Sequence, residues 1–198
     1  MKKRQKKTQQ RFGRVKDWAI RHPYWSSYII GCIYYGLTVS WMFGLRTAEI
    51  ATGVAFVVVA FSAALVMTSS FALGLVFLTW LMRRLKLSVL GSRWWLIPFV
   101  WVLTEYVRAV FFSIIAFGPG GRIGAYWTFG NIGYAMVHTP LVFAARWGGL
   151  YILSLIAAAL IVGLIRTVIT RNVLPVAIPL AIATILSLSG WLMYGKPS

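Results

Sequence analysis

The sequence predicts an all-α polytopic membrane protein with about five transmembrane helices and a Gly/aromatic-rich outer loop after the third. Three observations predict it. Of its 198 residues, 60% are hydrophobic and 12% charged, about half the charged share of a soluble domain. Mean hydropathy is +0.78, and several apolar runs reach ~20 residues, enough to cross a ~30 Å hydrocarbon core. Finally, the cations are segregated: nine of the twenty Lys and Arg lie within residues 1–22, and most others border apolar runs. That segregation marks cytoplasmic loops and anionic lipid headgroups, so the net charge of +17 does not imply a nucleic-acid partner.

Residues 1–22 form a basic cytoplasmic tail, followed by a five-span membrane domain over 23–195. The first span is expected at about 24–45. Pro23 suits its start, Trp25, Tyr28, Trp41 and Phe43 suit its interfacial ends, and Gly31 and Gly36 suit close helix approach. Arg46 and Glu49 mark a short outer loop. The second span, about 53–82, lies in a nearly continuous apolar run, long enough to require a tilted or broken helix. Thr68, Ser69, Ser70 and Gly74 are the natural place for a bend or tight contact. Arg83, Arg84, Lys86 and Arg93 then mark a cytoplasmic loop. Spans at about 94–117, 147–165 and 174–194 follow, with the outer loop over 118–146 and a basic turn at Arg166–Arg171. Fifteen of the twenty cations fall on the side of the tail, so the N-terminus is expected inside and the C-terminus outside.

Chemistry concentrates in the third span. Glu105 and Arg108 stand three residues apart, on one helix face. Charge inside an apolar span faces a bundle interior or wet cavity. The pair reads either as a structural device fixing helix packing or as a lipid-headgroup site, with Arg108 on a phosphate and Glu105 orienting it. Arg122 suits a second phosphate contact or a surface charge. His138 suits proton transfer or an interfacial hydrogen bond. Gly118, Gly120, Gly121 and Gly124 serve backbone geometry around Pro119. Cys32, the single cysteine, excludes an intrachain disulfide and reads as a small buried hydrophobe. No serine or cysteine stands beside a recognisable base, and no His, Asp or Glu cluster has metal-ligand spacing. No catalytic residue, metal or cofactor is therefore expected.

An ordered set of motifs carries a resemblance. WVLTEYVR (101–108), FGPG (117–120), GAY (124–126) and WGGLYILS (147–154), preceded by YYGLTVSW (34–41) and WLMRR (80–84), resemble the membrane region of bacterial apolipoprotein N-acyltransferases. The resemblance spans most of residues 24–194. It implies a bacterial inner-membrane protein that binds phospholipid and diacylglyceryl-lipoprotein for N-acylation of the lipoprotein's N-terminal cysteine. Glu105, Arg108, Pro119, Arg122, Tyr126 and His138 are then the candidates for lipid or substrate contact. In that family a periplasmic nitrilase-like domain carries a Glu-Lys-Cys triad. This sequence has no counterpart: Cys32 lies near the cytoplasmic end of a span, and Lys86 is the one lysine outside the tails. The family's first two spans and last span also lack counterparts, and Gly120 replaces an aromatic residue. Catalysis is accordingly expected to need a separate nitrilase-like subunit or a half lost by truncation. The rival expectations are a non-catalytic membrane scaffold or lipid-binding protein, and a small transporter with Glu105 as its coupling site.

Overall fold

The structure, a computed structural model, describes residues 17–40, 53–117 and 123–194. Among these the fold is all-α: α1 (Pro23–Val39), α2 (Val54–Arg84), α3 (Ile97–Phe117), α4 (Gly149–Thr170) and α5 (Leu174–Tyr194), with short 3-10 segments at Trp94–Leu96, Ile132–Met136 and Pro140–Trp147. Among the described residues, four stretches are long and apolar enough to cross a membrane, namely Val57–Arg84, Trp94–Ala116, Gly149–Thr170 and Leu174–Met193. The chain is a multi-pass membrane protein. The expected end of the first span (Trp41, Phe43), the outer loop with Arg46 and Glu49, most of the basic tail, and residues 118–122 lie outside the described residues.

Two compact units divide the chain, residues 1–80 and 81–198. In the first, α1 packs antiparallel against α2 along a stripe with a four-residue spacing. The Ser27 and Thr79 hydroxyls share a 2.5 Å hydrogen bond, and Tyr35 meets Phe71 edge-on at 5.4 Å. Between these contacts, a Cβ on Gly31 would stand 2.8 Å from the Ala72 Cα. Helices in lipid associate through such small residues because no hydrophobic gain separates a helix neighbour from a lipid tail. Gly36 is different: a Cβ there would meet only the Thr68 methyl, at 3.8 Å. The α2 helix passes through Thr68, Ser69, Ser70 and Gly74 without a break. Its 31 residues make a continuous rod of ~46 Å.

In the second unit, α4 and α5 form an antiparallel hairpin around the short turn at Arg171–Val173. Asn172 Oδ1 accepts from Leu174 N at 3.0 Å and so caps α5. Close approach again uses a glycine, since any Cβ on Gly163 would overlap the Pro175 carbonyl. Ala144, Leu153, Ile156 and Ala183 make a buried cluster joining α4, α5 and the 3-10 segment before them.

The start of α4 is offset along α3. Tyr151, in the first turn of α4, meets Tyr106 at 5.8 Å, and Tyr106 lies ~14 Å into α3. The second half of α3 therefore has a different neighbour, the segment 123–136.

The α1–α2 contact gives a stability test. Gly31→Leu should lower the stability of the detergent-solubilised chain by about 1–3 kcal/mol, the usual cost of overpacking. Gly36→Ala should leave the thermal midpoint within a degree or two of wild type. Equal effects of the two substitutions would contradict the contact described.

Candidate functional site

The segment after α3 descends beside it, and its register is fixed by polar contacts. Gly124 N donates to Ser113 Oγ at 3.1 Å, and Trp127 packs edge-on against Phe112 at 4.9 Å. Deeper, Arg108 Nη1 donates to the Phe129 carbonyl at 2.7 Å and Nη2 donates to Asn131 Oδ1. Deeper still, Glu105 Oε1 accepts from Ile132 N at 2.8 Å. As the loop residue number rises, its α3 partner falls from Ser113 to Glu105. Glu105 and Arg108 lie ~12 and ~17 Å from the start of α3, so irregular backbone reaches about the middle of the helix. At that depth no bulk water can satisfy it, and partners must come from protein.

Each side chain in the cluster is placed by a local cause. Trp101 stands one helical turn before Glu105, and its indole Nε1 donates to Glu105 Oε1 at 2.9 Å. Thr104 returns its hydroxyl to the Val100 carbonyl at 2.8 Å and so makes no claim on the carboxylate. Gly130, at φ +72°, occupies the third position of a turn closed by Asn131 N donating to the Thr128 carbonyl at 3.0 Å. A left-handed residue is required there, and glycine takes it without a Cβ penalty. The turn delivers Asn131 and Ile132 to the two charges. Beyond it, Gly133 N donates to Ser154 Oγ at 3.0 Å, and a Cβ on Gly133 would stand 2.7 Å from the Leu150 carbonyl. On the other flank, Tyr151 donates its hydroxyl to the Ala125 carbonyl at 3.2 Å.

Glu105, Arg108 and Asn131 are 3%, 3% and 2% exposed. Their contacts run to the loop, which makes the two charges positioning groups for it. Two buried atoms, Glu105 Oε2 and Asn131 Nδ2, have no hydrogen-bond partner among the described residues. One is an acceptor and the other a donor, the pair of functions a water or small polar group would satisfy.

Of the residues singled out in the sequence, Glu105 and Arg108 come together with the loop, and Gly124 joins it through its backbone. Tyr126 stands on the loop's outer surface, 69% exposed. His138 is exposed between two 3-10 segments. Gly118, Pro119, Gly120, Gly121 and Arg122 lie outside the described residues. Sequence reasoning did not single out Asn131, Ser113, Ser154 or Tyr151. Ser113 had a signal, since it lies eight residues after Glu105 on the same face. Asn131 had a weaker one, as a lone amide in an aromatic loop. Among the described residues, no group of three or more His, Cys, Asp or Glu side chains comes together as a metal would need.

The family model described as the apolipoprotein N-acyltransferase N-terminal domain matches residues 15–164 of this chain. No curated protein and no solved structure matches it significantly. The match covers most of the chain, including α3, the descending loop and most of α4, and the chain belongs to that family.

The cluster is testable by the exchange of its backbone amides. Arg108→Gln should raise hydrogen exchange at Ile132 and Gly133 by about 10- to 100-fold, because losing a charged hydrogen bond costs ~1.5–3 kcal/mol. Ser154→Ala should raise it by no more than about tenfold, since one neutral bond is worth ~1 kcal/mol. Unchanged exchange in the Arg108 variant would show that the loop is held by something else.

Proposed function

We propose that this member of the apolipoprotein N-acyltransferase N-terminal-domain family is the lipid-binding membrane half of a lipoprotein N-acyltransferase in a bacterial inner membrane. A nitrilase-like half outside these 198 residues completes it. The family match over residues 15–164 carries the reading. In the reaction, a thiolate on that other half takes an acyl chain from a phospholipid ester, releasing a lysophospholipid. The free amine of the diacylglyceryl-cysteine then attacks the thioester and releases the thiol. Both steps need long lipid chains held while their polar ends meet the nucleophile, and proximity of this kind can supply several kcal/mol of the barrier.

On this reading the descending loop is the membrane half's contribution. Its outer surface offers Ile123, Tyr126 and Tyr134, all exposed, as amphipathic groups suited to the boundary between headgroup and acyl chain. Arg122, next to Ile123 in sequence, would supply a contact to a lipid phosphate. Glu105 and Arg108 act one layer beneath, by holding the backbone that carries these groups. The N-terminus is cytoplasmic and the loop faces the opposite side.

The experiment is a pull-down of the tagged, detergent-solubilised chain from its native membrane, followed by reconstitution. A nitrilase-like protein should co-purify, and the pair should add one acyl chain to a diacylglyceryl-cysteine peptide, read by mass. Tyr126→Ala should lower that rate by about tenfold, the cost of one lost contact. Arg108→Gln should lower it further, while Arg108→Lys should not restore it, because one ammonium does not reproduce a planar fork. If no such protein co-purifies and no acyl transfer follows, the chain is a membrane scaffold and the enzymatic reading falls.

A further inference from the structure

In the 81–198 unit, the helix ends remote from the loop carry Arg83, Arg84, Lys86, Arg93, Arg166 and Arg171. The nearest acidic residue in sequence is Glu105, already engaged with the loop. Arg166 organises this end. Its Nη1 donates to the Val89 and Gly91 carbonyls at 2.5 and 3.2 Å, and its guanidinium lies over the Trp94 ring at 5.3 Å. Nη1 serves both carbonyls, so Nη2 and Nε remain as further donors of the same planar group.

Trp94 also lines an open apolar trough of about 240 Å³, with Pro98 and Phe99 from α3, Ile156 and Ala159 from α4, and Ile182 from α5 among its walls. On α4, Ile152, Ile156 and Ala159 line the trough at spacings of four and three, while Gly163, next on that stripe, is covered by Pro175 of α5. The trough meets the guanidinium through Trp94, which lines the one and lies under the other.

The backbone adds a second observation. Among the described residues, two helices end in a left-handed residue, the position that glycine fills most often. Here the residues are Lys86 at φ +52° and Arg171 at φ +53°. At Lys86 the hydrogen bonds Lys86 N to Arg83 O and Leu87 N to Met82 O close the usual terminal pattern. In both places a cation stands where glycine would be unstrained, and both are exposed on the same basic end.

We propose that the trough holds one acyl chain of an anionic phospholipid, with its phosphate group at the mouth formed by Arg93, Arg166 and Arg171. This site lies at the opposite end of α3 from the loop and does not depend on the acyl-transfer reading. Net charge selects the occupant: a zwitterionic lipid would fill the trough equally well and also bring a phosphate, but its ammonium would be repelled by the surrounding cations and cancel most of the gain.

The test uses the full chain in detergent, with lipid adducts counted by native mass spectrometry. Phosphatidylglycerol and phosphatidylcholine of identical acyl chains are the probes. The anionic lipid should be retained about fivefold better or more, the factor expected per basic group near an anionic surface. The combined variant Lys86→Gly, Arg93→Gln, Arg171→Gly removes charge without adding backbone strain. It should lose most of that preference while keeping its thermal midpoint. Ile182→Trp, at a half-exposed position, should reduce retention of both lipids by filling the trough. Equal retention of the two lipids by the unmodified chain would overturn the proposal. So would a preference that survives the triple substitution, which would then belong to the basic tail, or full retention by Ile182→Trp.

Discussion

The second unit depends on one constraint: backbone amides and carbonyls that lie beside the middle of an apolar helix must find partners in the protein. Each unsatisfied group in hydrocarbon costs several kcal/mol. Residues 123–133 meet that demand through side chains of α3 and α4. Ser113 and Ser154 accept N–H groups, Glu105 accepts another, Arg108 and Tyr151 donate to carbonyls. The charges that make the third span look expensive are therefore set against a larger cost, that of leaving the loop unsolvated.

Helix offset and loop descent are linked consequences of this arrangement. Because α4 begins level with the middle of α3, its first turn can present Tyr151 and Ser154 to the loop rather than pack against the end of α3. The space thus left along α3 accepts a segment of small and aromatic residues. Gly133 admits backbone-to-backbone contact with α4, and Trp127 supplies bulk against Phe112. The 3-10 segment at Pro140–Trp147 then returns the chain to α4 across the α5 surface. Ser187 donates to the Pro140 carbonyl at 3.0 Å and the Trp147 indole to the Leu186 carbonyl at 3.2 Å. Gly190 lies so close to the Phe143 carbonyl that any Cβ would overlap it.

Much of this was legible in the amino-acid sequence, for physical reasons. Hydropathy and the placement of Lys and Arg report directly on lipid contact, so the all-helical membrane class followed from composition. Charge in an apolar run is rare enough that Glu105 and Arg108 stood out without any alignment. What those charges bind was not legible. Each bonds to one main-chain group of the loop, and a carbonyl or amide at Phe129 or Ile132 has no sequence signature. Asn131 is short, polar and ordinary in a loop; only the turn at Gly130 shows that it is aimed inward. The run after Ile50 leaves two readings open, a tilted or a broken helix, with Thr68, Ser69, Ser70 and Gly74 as a bend or a tight contact. The helix is continuous over Val54–Arg84, and this stretch faces α1, with Thr68 opposite Gly36 and Ala72 opposite Gly31. Thr79 is accommodated likewise, its hydroxyl bonding to the Leu75 carbonyl of its own helix.

The choice of arginine at position 108 follows from the geometry of the loop. Its two terminal nitrogens reach acceptors two residues apart, the Phe129 carbonyl and Asn131 Oδ1. A planar fork spans such a pair with its rotamer already fixed, whereas a single ammonium would have to choose or compromise. Glu105 serves the complementary need, since one carboxylate oxygen accepts from both the Trp101 indole and the Ile132 amide. A neutral amide in its place would keep one acceptor but lose the charge that strengthens both bonds. Opposite charges one turn apart, each bonded to the same strip of backbone, hold that strip from both sides. Burying the two together avoids the larger cost of burying either alone. The pair therefore fixes where the loop sits, and anything the loop presents on its outer surface inherits that position.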